Sequence, residues 1–126
     1  VAAWTALDFC DKENGGMMIV PGTHTSEIDC IHKQATGSYE GGPSIPVPEG
    51  MKLELPEMYS GDTLFFNGSL IHGSGPNRTE DRWRRSFICH YVGKNCESTD
   101  QFYHPLVNFE GKDVVKAATT DGGPCG

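Results

Sequence analysis

Apolar and polar residues trade places at short intervals along this chain. Residues 1–7 are apolar and aromatic, with Trp4 near their centre, which predicts a buried strand. Residues 8–16 are polar and end in Asn14-Gly15-Gly16, a strong turn signal. A short apolar run at 17–20 predicts a second strand, paired with the first as a hairpin. Pro21-Gly22 then turns the chain. From 23 to 50 no regular period persists, so this stretch reads as a long loop with one short helical turn near 26–32. Loops of that length in a compact domain commonly carry function. Strict alternation returns in Met51-Lys52-Leu53-Glu54-Leu55, the pattern of a half-buried strand. Ser60-Gly61-Asp62 predicts a turn, residues 63–66 a strand, and residues 70–72 a further short apolar step. Residues 73–81 are rich in turn formers, and 84–92 form the last clear strand. A polar tail follows, with one apolar patch at 102–109. No repeat occurs and no linker divides the chain, so residues 1–126 read as a single partial domain with its core at 1–92 and a tail at 93–126. Short strands with turns every ~8–12 residues predict an all-β sandwich, jelly roll or barrel.

Composition agrees with that picture. Sixteen glycines and eight prolines favour turns over long helices. The net charge of −7 repels a phosphate backbone and argues against a nucleic-acid partner. No stretch approaches the roughly 20 apolar residues of a membrane span. The five cysteines, Cys10, Cys30, Cys89, Cys96 and Cys125, are odd in number and irregular in spacing, a poor disulfide framework. Reduced thiols in an intracellular, cytoplasmic protein are the expectation. The sequons at Asn67 and Asn77 are read as accidental. The first residue is Val1, and both ends read as cut, so a fragment is expected.

Five histidines are the obvious candidates for chemistry: His24, His32, His72, His90 and His104. His72 has the best context, at the end of an apolar segment and before Gly73-Ser74-Gly75, where small residues admit a ligand. A strand-end histidine can bind a metal through its neutral imidazole. Arg84 lies on the next strand. Alternation places Arg84, Ser86 and Ile88 on one face, with Arg85, Phe87 and Cys89 on the other. Arg84 and Ser86 could grip a carboxylate through the guanidinium fork and a hydroxyl, or both arginines could be exposed strand-edge charges. Arg78 and Arg82 read as merely solvated. A non-haem Fe(II) site needs two histidines and a carboxylate. None of the five histidines is followed by the x-Asp or x-Glu that usually completes such a set.

Several blocks then occur together, in order: Ala3-Trp4-Thr5-Ala6-Leu7, Glu13-Asn14-Gly15-Gly16-Met17-Met18-Ile19-Val20-Pro21-Gly22-Thr23-His24, Gly61-Asp62-Thr63-Leu64-Phe65-Phe66, Ile71-His72-Gly73-Ser74-Gly75-Pro76-Asn77 and Arg84-Arg85-Ser86-Phe87-Ile88-Cys89-His90-Tyr91. In these the chain resembles the phytanoyl-CoA dioxygenase family over residues 1–92. The resemblance implies a double-stranded β-helix, a jelly-roll or cupin-like barrel, here incomplete at its N-terminus. It implies Fe(II), 2-oxoglutarate as co-substrate and O2, with hydroxylation of a small organic substrate and release of succinate and CO2. By position, His72 matches the family's distal iron ligand. Arg84 matches the arginine for the 2-oxoglutarate carboxylate, with adjacent Arg85 as the alternative. Ser74 matches a position that assists 2-oxoglutarate binding in some relatives, and Trp4 a tryptophan lining that pocket. His24 is expected to be structural, and Ser86 is a weaker match.

The family's His-x-Asp pair lies upstream of the strand that matches residues 1–7, so this chain alone lacks it and is expected to be inactive. A non-catalytic β-barrel module for binding or assembly, retaining an anion pocket, is the alternative. The loop at 23–50 carries Lys33 as its one strong cation, which disfavours a CoA phosphate there. A peroxisomal location applies if the parent is a eukaryotic lipid-metabolising relative.

Overall fold

Ala2, Ala3 and Ala6 flank Trp4 in strand β1 (Ala2–Ala6), and their small side chains let two neighbours close on it. The computed structural model describes residues 1–27 and 45–119, in which regular structure is almost entirely strand. The fold is mainly β. Two compact units divide the chain, Val1–Tyr91 and Val92–Gly126.

In the first unit, β1 is the middle strand of an antiparallel sheet. Strand β3 (Thr63–Phe66) lies on one side and β5 (Ser86–His90) on the other. The register sets Trp4 opposite Leu64 and Ile88. A second sheet pairs β2 (Met17–Ile19) with β4 (His72–Ser74), with Ile19 opposite His72. Successive strands therefore alternate between the two sheets, the connectivity expected of a jelly roll. Trp4, Ala6, Cys10, Met17 and Met58 form the core cluster, against which Ile19, Leu64 and Phe66 pack.

Three expectations are corrected. β1 and β2 do not form a hairpin, since each pairs with a strand from elsewhere. Asn14-Gly15 does turn the chain, but Asn14 is fully buried and Gly15, at φ 82°, packs its backbone against another segment. The alternating segment around Leu53 is not a half-buried strand. It touches β2 by one bridge, Ile19 to Glu54, while Met51, Leu53 and Leu55 all stay exposed. The 84–92 stretch is also not the last ordered pairing. In the second unit, β6 (Ser98–Asp100) pairs in parallel with β9 (Ala117–Thr119), and β7 (Leu106–Val107) pairs antiparallel with β8 (Asp113–Val114). Strands of two or three residues are too short to show a period of two.

Most of the long loop, the rest of the helical turn expected near 26–32, His32, Lys33, Cys30 and Cys125 lie outside the described residues. A short 3-10 turn does occur earlier, at Thr23–Thr25.

Candidate active site

His72 opens β4 and is exposed. Its Nδ1 lies 2.8 Å from the Leu70 carbonyl oxygen. A carbonyl can only accept, so Nδ1 carries the proton and donates. In the neutral ring Nε2 is then left with its lone pair, the tautomer that metal ligation through Nε2 requires. The Phe66 ring lies against the imidazole, with centroids 4.5 Å apart.

The residue before His72 is pinned from both sides of its peptide. The Ile71 N–H donates to Thr23 Oγ1 at 2.9 Å, and the Val20 N–H donates to the Ile71 carbonyl at 2.9 Å. Thr23 is 2% exposed, and its hydroxyl in turn donates to the Val20 carbonyl. The Pro21-Gly22-Thr23-His24 turn is thus a support for β4. His24 contributes its carbonyl, which accepts from the Asn67 side chain.

Ser74 lies two residues beyond His72, on the same face of the strand. Arg84 reaches it, with Nη2 3.4 Å from Ser74 Oγ. Arg84 is half-buried and precedes β5 rather than lying within it. Arg85 faces elsewhere. Its Nε and Nη2 donate to the Asp8 carboxylate at 3.0 and 2.7 Å, and its backbone N–H donates to the same group at 2.8 Å. Those bonds hold the Asp8 carboxyl down at about 2. Of the two arginines, Arg84 is therefore the one beside the His72–Ser74 strand. Trp4 is not at this surface. It is 3% exposed in the core cluster, and Phe66, which packs against that cluster, also meets His72.

Arg82, expected to be solvated, instead forms a bidentate pair with Asp11 at 2.9 and 3.1 Å and reaches Glu13 at 3.2 Å. Its hydrogen bonds lower the Asp11 carboxyl to about 2. Asn14, Asp8 and Thr23 carry much of the local architecture, and the sequence pattern did not single them out. Asn14 and Thr23 stand in recognisable turns, but their long-range partners leave no local signal. Cys10, buried beneath this region, has its thiol pushed up by burial, with the Arg84 charge opposing.

With its proton on Nδ1, the exposed His72 ring leaves Nε2 able to accept a metal ion. Among the described residues, no group of three His, Cys, Asp or Glu side chains could hold a metal. Arg84 and Ser74 together present N–H and O–H donors suited to a carboxylate.

The chain thus has a mainly-β fold in which His72 and Ser74 share a short strand and Arg84, from the segment before β5, reaches Ser74. The family model for phytanoyl-CoA dioxygenase matches residues 1–86. The chain belongs to the phytanoyl-CoA dioxygenase family. It is 36% identical over 106 residues to the peroxisomal phytanoyl-CoA dioxygenase of Rattus norvegicus, covering 77% of this chain and 29% of that protein. It is 34% identical over 124 residues to the peroxisomal phytanoyl-CoA dioxygenase of Homo sapiens, covering 94% of this chain and 35% of that protein. It is also 34% identical over 99 residues to dioxygenase aneA of Aspergillus aculeatus, covering 79% and 29%. The chain thus spans about a third of the length of these curated relatives. No solved structure gives a significant match. Among the described residues, no helix is long and apolar enough to cross a membrane.

Proposed function

We propose that the protein containing this chain is an Fe(II)- and 2-oxoglutarate-dependent dioxygenase that hydroxylates a small organic substrate. Family membership supports the oxygenase class, and the Arg84–Ser74 contact beside His72 carries the assignment of the co-substrate anchor. Bound iron, with O2 and 2-oxoglutarate, supplies the oxidising power that hydroxylates a C–H bond and releases succinate and CO2. His72 offers Nε2 to the metal while the Leu70 carbonyl holds the ring in that tautomer. Arg84 and Ser74 orient the co-substrate by its distal carboxylate. Trp4 supports this pocket from the core, through the cluster on which Phe66 rests. None of the five histidines begins a His-x-Asp or His-x-Glu, so in this reading the 126 residues alone lack a full ligand set and are expected to be inactive. The peroxisomal names of the rat and human relatives are compatible with a peroxisomal location if the parent is a eukaryotic lipid-metabolising enzyme.

A second reading is a non-catalytic module that keeps the anion pocket, favoured by the incomplete ligand set among the described residues. The discriminating experiment measures the 2-oxoglutarate requirement of the whole protein. Arg84→Ala raises it more than Arg85→Ala does. The reverse order moves the anchor to Arg85, and absence of any 2-oxoglutarate turnover favours the binding module.

A further inference from the structure

The connector from β4 to β5 begins just after Ser74 and carries Arg84 near its other end. A single loop, residues 8–16 between β1 and β2, touches that connector along its length. Gly15 lies so close to the Gly75 carbonyl that a Cβ there would sit 2.4 Å from the oxygen. The Glu13 carbonyl accepts the Arg78 N–H at 2.9 Å. Asp11 and Glu13 hold the Arg82 guanidinium. Asn14 donates through Nδ2 to the Trp83 carbonyl at 3.1 Å and to the Phe9 carbonyl at 2.7 Å, while its Oδ1 accepts the Asp11 N–H at 2.9 Å. Asn14 is fully buried, so these partners replace water for it. Asp8 then takes both the backbone N–H and the guanidinium of Arg85.

Two of these bonds fall on the residues immediately before and after Arg84. We infer that Asn14 and Asp8 are positioning residues for Arg84, clamping the backbone at Trp83 and Arg85 so that its guanidinium meets Ser74. This rests on the reading of Arg84 as the co-substrate carboxylate anchor. A fork held at both neighbours loses little freedom on gripping a carboxylate, so the clamp acts on 2-oxoglutarate affinity and not on the metal. Arg85, adjacent and chemically identical, plays a different part, as the handle by which Asp8 holds the start of the strand.

The test compares Asp8→Asn, Arg84→Ala and the double variant in the whole protein loaded with Fe(II). It reads kcat, KM for 2-oxoglutarate and KM for the substrate. Anaerobic calorimetry of 2-oxoglutarate binding provides a readout that needs no turnover. Asp8→Asn is expected to raise the KM and the dissociation constant for 2-oxoglutarate about tenfold, leaving kcat and substrate KM within about twofold. In the Arg84→Ala background the same change adds nothing. An unchanged 2-oxoglutarate KM, an equal rise in both KM values, or full additivity with Arg84→Ala would each overturn the inference. If Arg84→Ala itself leaves 2-oxoglutarate binding intact, the anchor assignment fails and takes the clamp with it. If Arg84→Ala weakens binding and Asp8→Asn does not, the clamp alone is wrong. Should Asp8→Asn fail to fold, Arg85→Gln carries the test, because it removes the two guanidinium bonds that fix the Asp8 carboxylate on residue 85; the same selective rise in the 2-oxoglutarate KM is expected, and an unchanged KM overturns the inference.

Discussion

Replacing Thr23 with Val tests whether the turn after β2 holds the strand that carries His72. The two side chains are nearly isosteric and both branch at Cβ, so shape and rotamer preference change little. The hydroxyl is what disappears. In the native structure it accepts the Ile71 N–H at 2.9 Å and donates to the Val20 carbonyl at 2.8 Å, within a side chain only 2% exposed. The Val20 carbonyl keeps the Thr23 backbone N–H at 3.3 Å, so that side of the loss is small. The Ile71 N–H keeps no partner. Leaving a buried donor unsatisfied costs about 1–3 kcal/mol. The added methyl returns at most about 0.8 kcal/mol. The expected net destabilisation is about 1–2 kcal/mol. In urea it appears as a lower midpoint with an unchanged slope. Amide exchange at Ile71 should accelerate selectively, because that donor is the one orphaned. A stability change below about 0.3 kcal/mol, or unaltered protection at Ile71, would refute the claim that Thr23 braces this strand.

Two further perturbations follow from the loop at residues 8–16. Gly15→Ala places a Cβ 2.4 Å from the Gly75 carbonyl oxygen at a φ of 82°, so strain and a backbone clash add; a loss of at least about 2 kcal/mol is expected on urea unfolding, since the left-handed conformation alone costs about 1–2. Acid should loosen the clasp: Asp8 and Asp11 sit at about 2 in the folded protein against about 3.9 unfolded, so their contribution is present above pH ~4 and is lost as pH falls toward 2. Unfolding free energy measured across that window should fall less steeply in Asp8→Asn and in Asp11→Asn; identical slopes would show that these carboxylates do not drive the acid response.

Much of the fold was legible because the buried strands are also the apolar ones. β1 and β3 fall where the apolar runs predicted them, and β5 lies within the predicted strand. Pairing was not legible in the same way. Asn14-Gly15 looks like a hairpin turn, yet its partners are Gly75 and Trp83, some 60 residues or more away in the chain. Only the three-dimensional register reveals that. Leu53 and Leu55 alternate with charges but remain exposed, because alternation reports a pattern and not the presence of a partner to cover it. At the candidate site, His72, Ser74 and Arg84 were named from motif position. Strand phase favoured Ser86 as the partner of Arg84, whereas the hydroxyl that Arg84 meets belongs to Ser74, because Arg84 lies before β5 begins. Arg85 was hard to separate from Arg84 by sequence, and the Asp8 carboxylate is what distinguishes their surroundings. Arg82 looked solvated because its partners, Asp11 and Glu13, lie on a different loop.

The role of His72 as an iron ligand of a 2-oxoglutarate-dependent oxygenase is the point on which the proposed function turns. The most direct measurement is Fe(II) binding together with iron-dependent succinate formation from 2-oxoglutarate, in the whole protein and in its His72→Ala variant. Both activities are expected in the parent, loss of both in the variant, and neither in the 126 residues alone. Retention of iron and of succinate formation by His72→Ala would contradict that role.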